Sequence, residues 1–177
     1  MKKSSVKIIG GNFKRKNILF SDVDGLRPTL GRIRETLFNW LGQDLNHHTC
    51  LDLFAGSGAL SFEALSRGAK FCQLIEANNE AYQNLVINKE SLGFTNCDIQ
   101  LNTAENYLKK NTDQFDIIFF DPPFGRPEFS LLLPSLKNYL NEEGLIYYES
   151  SRPYADEDFK IIKESRAGQV YFYLLKK

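Results

Sequence analysis

Asp121-Pro122-Pro123-Phe124 is the segment of this 177-residue chain with the sharpest chemical implication. It follows an apolar run, Phe115 to Phe120, that reads as a buried strand. Two prolines fix the backbone, so the Asp121 carboxylate and the Pro122 carbonyl can be held rigidly toward one point. Two acceptors converging on one point suit an –NH₂ group. Binding both hydrogens directs the nitrogen lone pair outward, ready to attack an electrophile. Phe124 supplies a flat face on which a base can stack. An isolated Asp-Pro-Pro-Phe also fits a plain strand-ending turn. The residues upstream decide between the two.

Leu51-Asp52-Leu53-Phe54-Ala55-Gly56-Ser57-Gly58-Ala59 reads as a strand, a Gly-x-Gly turn and a helix start. Glycines let the backbone approach a ligand closely, and a helix N-terminus offers free N–H groups. The third glycine of a dinucleotide fingerprint is replaced by Ser61, which argues against NAD(P). No Lys-Ser/Thr follows the glycines, which excludes a P-loop. Asp52 lies four residues before Gly56, and Glu76 ends the next predicted strand, 24 residues after Asp52. A carboxylate there can accept both ribose hydroxyls of an adenosine. An acidic residue at the turn suits a ligand that carries an ammonium and no phosphates. The combination points to S-adenosylmethionine, cradled by Asp52, Phe54, Ala55, Gly56, Ser57, Gly58 and Glu76.

These residues need a scaffold, and the rest of the pattern predicts one. From Thr49 onward, strands alternate with helices: strands at 50–54, 71–76, 98–101, 115–120 and 145–149, helices at 58–67, 79–92, 104–110 and 128–140. Gly68 and Gly93 stop the first two helices, and Pro134 predicts a break in the last. Asp158–Lys163 and Gln169–Leu175 read as a closing β-pair around Arg166-Ala167-Gly168. The alternation implies an α/β fold with a parallel sheet covered on both faces. Ligands in such sheets sit beyond the carboxyl ends of the strands, so the glycine turn and the Asp-Pro-Pro-Phe segment share one crevice. Ahead of this core, Val6–Gly11 and Phe13–Phe20 predict a β-hairpin with Lys14-Arg15-Lys16 near its tip. Leu26-Arg27-Pro28 reads as a linker, Thr29 as an N-cap, and Leu30, Ile33, Leu37 and Leu41 as the apolar stripe of a helix. The expected organisation is a basic extension at 1–28 and a catalytic domain at 29–177.

Charge is unevenly spread. The chain has 22 basic and 22 acidic residues, but residues 1–34 carry nine basic against two acidic, a net +7, leaving −7 for the remainder. A basic head on an acidic body suggests a polyanion-binding element joined to a domain that does something else. Lys14, Arg15, Lys16, Arg27, Arg32 and Arg34 are the candidates to grip phosphates. Three dispersed cysteines (Cys50, Cys72, Cys97) and one His47-His48 pair offer neither a disulfide framework nor a zinc pattern, so no metal is expected. No apolar run approaches the ~18 residues of a membrane span, and Met1–Gly10 lacks a signal-peptide core. The expectation is a cytoplasmic protein without a membrane partner. Nothing in the chain asks for a dimer.

The motif set resembles class I methyltransferases that modify exocyclic amino groups. More narrowly, the chain resembles the RsmD family, which methylates guanine N2 of small-subunit (16S) ribosomal RNA. The resemblance runs through Ile8-Ile9-Gly10-Gly11, Leu26-Arg27-Pro28-Thr29, Arg32 to Leu41, Leu51 to Leu60, Glu63 to Gly68, Asp121 to Phe124, Ile146 to Ser150 and Ala167 to Val170. Its most specific part is Arg-Pro-Thr followed by Arg-Glu-Thr-Leu-Phe-Asn-Trp-Leu. It implies a Rossmann-like seven-stranded class I methyltransferase sheet whose last strand is antiparallel, with an N-terminal β-hairpin extension. It implies methyl transfer from S-adenosylmethionine to a guanine amine, with small-subunit RNA or its assembly intermediate as partner. Asp121, Pro122 and Phe124 would hold the amine and stack the base. Asp121 would also border the cofactor, and Asn102-Thr103-Ala104 would meet its adenine. Competing classes are a DNA adenine methyltransferase, a protein glutamine methyltransferase and an inactive RNA-binding assembly factor.

Overall fold

The computed structural model describes residues 3–21 and 31–177. The first element is a two-stranded antiparallel hairpin, β1 (Lys3–Lys7) and β2 (Asn17–Ser21). β1 starts three residues before the predicted run and shares only Val6 and Lys7 with it, and β2 begins four residues later than predicted and ends one residue beyond Phe20. Between them the chain folds into a compact loop: Ile8 N–H donates to Lys16, and Arg15 N–H donates back to Ile8, each at 2.9 Å. The linker at 26–28, Thr29, Leu30 and Arg27 lie outside the described residues.

Helix α1 (Gly31–Leu41) follows, burying Ile33, Arg34, Leu37 and Phe38. Then strands and helices alternate: β3 (Thr49–Asp52), α2 (Ala59–Ser66), β4 (Phe71–Glu76), α3 (Asn79–Leu92), β5 (Cys97–Leu101), α4 (Ala104–Lys110) and β6 (Phe115–Phe120). Local chemistry sets the boundaries. The Asn78 side chain accepts from the N–H groups of Glu80 and Ala81, capping α3, and Gly93 ends it in the left-handed region. Thr103 caps α4 in the same way through the Asn106 N–H.

The predicted helix at 128–140 is instead a 3₁₀ run over Pro127–Tyr139. Pro134 cannot donate to an α-helical ladder, and the tighter winding is what the segment adopts. It leads directly into β7 (Leu140–Ser150), which starts five residues earlier than predicted. The chain closes with β8 (Lys160–Ala167) and β9 (Val170–Lys176), joined through the predicted Gly168-Gln169 turn.

Seven strands form one sheet in the order β5-β4-β3-β6-β7-β9-β8. The pairs from β5 to β7 are parallel, whereas β9 is antiparallel to both β7 and β8. The fold is thus the Rossmann-like, seven-stranded class I methyltransferase sheet that the resemblance implies. One apolar layer joins Ile33, Leu37, Phe62, Leu85, Phe119, Tyr147 and Phe172 with Ile8 and Ile18 of the hairpin region. The other joins Leu51, Ile75, Leu108, Ile118, Leu136, Ile146 and Tyr173. The buried cysteines Cys50, Cys72 and Cys97 are in register across β3, β4 and β5. They are free thiols packed as small apolar residues.

Candidate active site

Strand order brings the predicted chemistry together. β3 is hydrogen-bonded to β4 on one side and β6 on the other, with Asp52 opposite Leu74 and Phe119. Glu76 and Asp121 each lie two residues beyond those partners. The three carboxylates therefore sit at the carboxyl ends of three adjacent parallel strands, the usual ligand crevice of such a sheet.

Asp52 is buried at the end of β3. The Ser61 hydroxyl donates to its carboxylate at 2.7 Å. Desolvation raises the Asp52 carboxyl to about 7, opposed by the bonds from Ser61 and the Phe54 N–H and assisted by the negative Glu76. A group poised near neutrality in this position responds strongly to a cation placed beside it.

Glu76 shapes the turn. One carboxylate oxygen accepts the Gly56 N–H and the other accepts the Asn78 N–H, each at 2.7 Å. A carboxylate has about four lone-pair sites, so both oxygens keep capacity for hydroxyl donors. Gly56 and Gly58 have φ of 53° and 79°. At Gly58 a Cβ would meet Phe62 at 2.4 Å and Leu85 at 2.7 Å, so only glycine fits. Gly58 closes the turn with a 2.7 Å bond from its N–H to the Ala55 carbonyl. Ala55 and Ser57 are buried in it. These features fit a small cofactor with ribose hydroxyls and an ammonium: backbone amides, a floor without side chains and two carboxylates. Ala104, buried at the start of α4, adjoins this edge, because Asn102 N–H donates to the Glu76 carbonyl at 3.0 Å.

The Asp121 segment has graded exposure: Asp121 half-buried, Pro122 buried, and Phe124 51% exposed. Phe124 is thus a presented face and not a core residue. Phe54 packs its ring on Phe120 and Phe129, at 5.6 and 5.0 Å between centroids. Its side chain supports the aromatic wall beside the segment, leaving its backbone to line the glycine turn. On the next strand, the Tyr147 hydroxyl donates to Glu149 at 2.5 Å, both side chains being buried. Burial and the negative Glu149 and Asp121 push the Tyr147 phenol well above its ordinary range.

The basic candidates divide. Lys14, Arg15 and Lys16 are exposed on the hairpin loop, and Arg32 is exposed on α1. Arg34 is a correction. It is only 2% exposed, lies 3.7 Å from Glu63, and donates to the Lys7 carbonyl at 3.1 Å. It cannot present its charge to a phosphate. Position 34 stands four residues before Phe38, inside the apolar stripe, and that spacing was the available signal.

The sequence reading also missed why Glu63 is there. This fully buried carboxylate accepts the N–H groups of Ile9 and Gly10 at 2.7 Å each and pairs with Arg67 at 2.8 Å. It ties the hairpin loop, α1 and α2 into one unit behind the glycine turn. Gly11 packs so tightly there that a Cβ would lie 1.9 Å from the Ser66 carbonyl.

Comparison with known proteins decides the family. The family model described as conserved hypothetical protein 95 matches residues 6–176. The ribosomal RNA small subunit methyltransferase D of Escherichia coli (strain K12) is 38% identical, over 97% of this chain and 90% of its own. The chain belongs to the RsmD family.

Its RsmD relative in Haemophilus influenzae is 35% identical over 97% of this chain and 94% of its own. The solved Escherichia coli protein yhhF has a TM-score of 0.84 at 39% identity, covering 97% of both chains. Every element of the RsmD-like site, from the glycine turn to the Asp-Pro-Pro-Phe segment, therefore lies within the matched span. Among the described residues no cluster of His, Cys, Asp or Glu could hold a metal ion, and no helix is long and apolar enough to cross a membrane.

Proposed function

We propose that this protein transfers a methyl group from S-adenosylmethionine to the exocyclic N2 amine of a guanine in small-subunit ribosomal RNA. The observation that supports this most strongly is the adjacency of β3, β4 and β6. It sets the Asp121-Pro122-Pro123-Phe124 segment beside a glycine turn flanked by Asp52 and Glu76. Family membership supports the RNA substrate, since its relatives are named for ribosomal RNA methylation.

S-adenosylmethionine, when bound, supplies an electrophilic methyl group on a sulfonium. Asp52, Gly56 and Gly58 hold its methionine end, Glu76 its ribose, and Ala104 borders its adenine. Asp121 and the Pro122 carbonyl take the two amine hydrogens and aim the nitrogen lone pair. Phe124 stacks the extruded base. The residues act by positioning, and alignment of reacting groups alone is worth several orders of magnitude in rate. A guanine amine is barely basic, so its nitrogen takes the methyl as the S–CH₃ bond breaks, S-adenosylhomocysteine would be left, and the excess proton passes afterwards to the Asp121 carboxylate or to water. Lys14, Arg15 and Lys16 on the hairpin, with Arg27 and Arg32, hold phosphates, which makes binding salt-dependent. On this reading residues 1–28 form an RNA-gripping extension of a catalytic domain at 29–177, and the protein works in the cytoplasm.

The test is radiolabelled methyl transfer to four substrates: unmodified small ribosomal subunits, naked small-subunit RNA, genomic DNA and release factors. Label confined to the ribosomal substrates is the expected result. Label in DNA or protein overturns the reading in favour of a competing class.

A further inference from the structure

β6 and β7 are parallel, with Phe119 opposite Tyr147 and Phe120 opposite Tyr148. Continued by one residue, that register sets Glu149 opposite Asp121. β7 itself runs on to Ser150, held from its other side by β9, where Glu149 pairs with Phe172. Side chains alternate between the faces of a sheet, so Phe119, Tyr147 and Glu149 share one face. Two contacts agree. The Phe119 and Tyr147 rings meet edge-to-face at 6.5 Å between centroids, and the Tyr147 hydroxyl donates to the Glu149 carboxylate at 2.5 Å. Asp121 is near the same hydroxyl. The Tyr147 phenol is pushed up first by burial and then by the negative charge of Glu149 and of Asp121.

Glu149 is only 4% exposed and Tyr147 is fully buried, so this pair is not a surface feature. The methyl-transfer scheme above uses neither residue. Tyr147 anchors one oxygen of Glu149 beside the crevice that holds Asp121. A carboxylate has about four lone-pair sites, so the bond from Tyr147 leaves capacity for a substrate donor.

An extruded base is read on its Watson–Crick edge, where an amine adjoins a ring nitrogen. In guanine the N2 amine lies next to N1–H, so the edge is a row of donors. In adenine and cytosine the amine lies next to a bare ring nitrogen, itself an acceptor. Neighbouring strands are about 4.8 Å apart, so carboxylates at paired positions can serve adjacent donors of one base. We infer that Glu149, anchored by Tyr147, accepts the N1–H of the guanine whose amine is held by Asp121 and Pro122, and so selects guanine over the other amine-bearing bases. This rests on the guanine-methylating reading above and names the residue that reads the base. An adenine or cytosine placed in the same way turns a lone pair toward the buried carboxylate. A site built to accept from a donor rejects a ring that lacks it.

The experiment compares small-subunit RNA with guanine at the methylated position against the same RNA carrying 2-aminopurine there. That base keeps the amine and lacks N1–H. kcat/KM for methyl transfer is measured with wild type, Glu149→Gln and Tyr147→Phe, and cofactor affinity and melting temperature serve as controls for folding. Wild type should prefer guanine by at least about 100-fold. In Glu149→Gln the side-chain oxygen can still accept from Tyr147, which turns the –NH₂ toward the bare N1 of 2-aminopurine. This variant should lose rate on guanine and gain on 2-aminopurine, reducing the preference to about tenfold or less. A merely structural role would lower both rates together. Tyr147→Phe removes the anchor and should cut the preference about fivefold. Cofactor affinity should not move. Should Glu149→Gln fail to fold, the ratios of wild type and Tyr147→Phe decide. A wild type that accepts 2-aminopurine as readily as guanine, or an unchanged preference in the folded variants, would overturn the role of Glu149 while leaving guanine methylation standing. A wild type that methylates no guanine would overturn the underlying reading as well.

Discussion

The hydroxyl of Ser61 donates a 2.7 Å hydrogen bond to the buried carboxylate of Asp52. Ser61 occupies the position where a dinucleotide fold carries its third glycine. What the sequence shows as a missing glycine is thus a donor that moderates a buried acid. Asp52 still titrates near 7, because desolvation outweighs the bonds it accepts.

A proton linkage follows from that value. Folded Asp52 holds its proton up to about pH 7, whereas the unfolded residue loses it near 4. Between those values the folded state binds more protons, so this group's contribution to stability is full below pH 4 and is lost as pH rises through 7. An ammonium beside Asp52 favours its charged form. Cofactor binding below pH 7 should therefore release a proton and tighten as pH rises. Calorimetry in buffers of different ionisation enthalpy measures this directly. Ser61→Ala removes a stabilising donor, and cofactor affinity at pH 7 should fall about tenfold.

Glu76 clamps the turn and, on the proposed function, accepts the ribose hydroxyls. Glu76→Ala frees the Gly56 and Asn78 amides as well as any ribose hydroxyls. Bonds to charged groups contribute about 1.5–3 kcal/mol each, so cofactor affinity should drop at least about 100-fold. Titration calorimetry with S-adenosylmethionine is the check.

Phe124 is exposed and contributes little to the core. Phe124→Ala should leave the melting temperature and cofactor affinity unchanged. Loss of about 1–3 kcal/mol of base stacking should lower kcat/KM on RNA by about 5- to 150-fold. Phe124→Tyr should keep most of it.

Glu63 is the opposite case. Glu63→Gln strands Arg34 and Arg67 without their shared charge in a buried site. Breaking a buried ion pair costs about 3–5 kcal/mol. For a chain of this length the melting temperature should fall by about 10 °C. Arg34→Ala should likewise lower the melting temperature without changing the salt slope of RNA binding, since its side chain does not reach solvent.

Much of this was legible in the sequence where local rules and tertiary packing agree. The β3–β6 strands and helices α2 to α4 carry caps, stops and alternating apolar runs, and they form close to the expected limits. The 3₁₀ run was half-legible: Pro134 announced a break, but not a different winding. For Arg34 the sequence left two roles open, a phosphate contact or a salt-bridged structural cap under the glycine turn, and it did not show Glu63 as the partner. Only the packing of the hairpin loop onto α2 turns them into a buried pair.

The measurement that bears most directly on the central claim is nucleoside analysis of the RNA product by mass spectrometry. Unmodified small ribosomal subunits are incubated with S-adenosylmethionine and wild-type protein or Asp121→Ala. The account predicts N2-methylguanosine as the new nucleoside, with formation reduced by at least about 100-fold in the variant, the cost expected of a misplaced reacting group. A methyl group on a ring nitrogen, on a ribose or on another base would contradict it. So would full activity in Asp121→Ala.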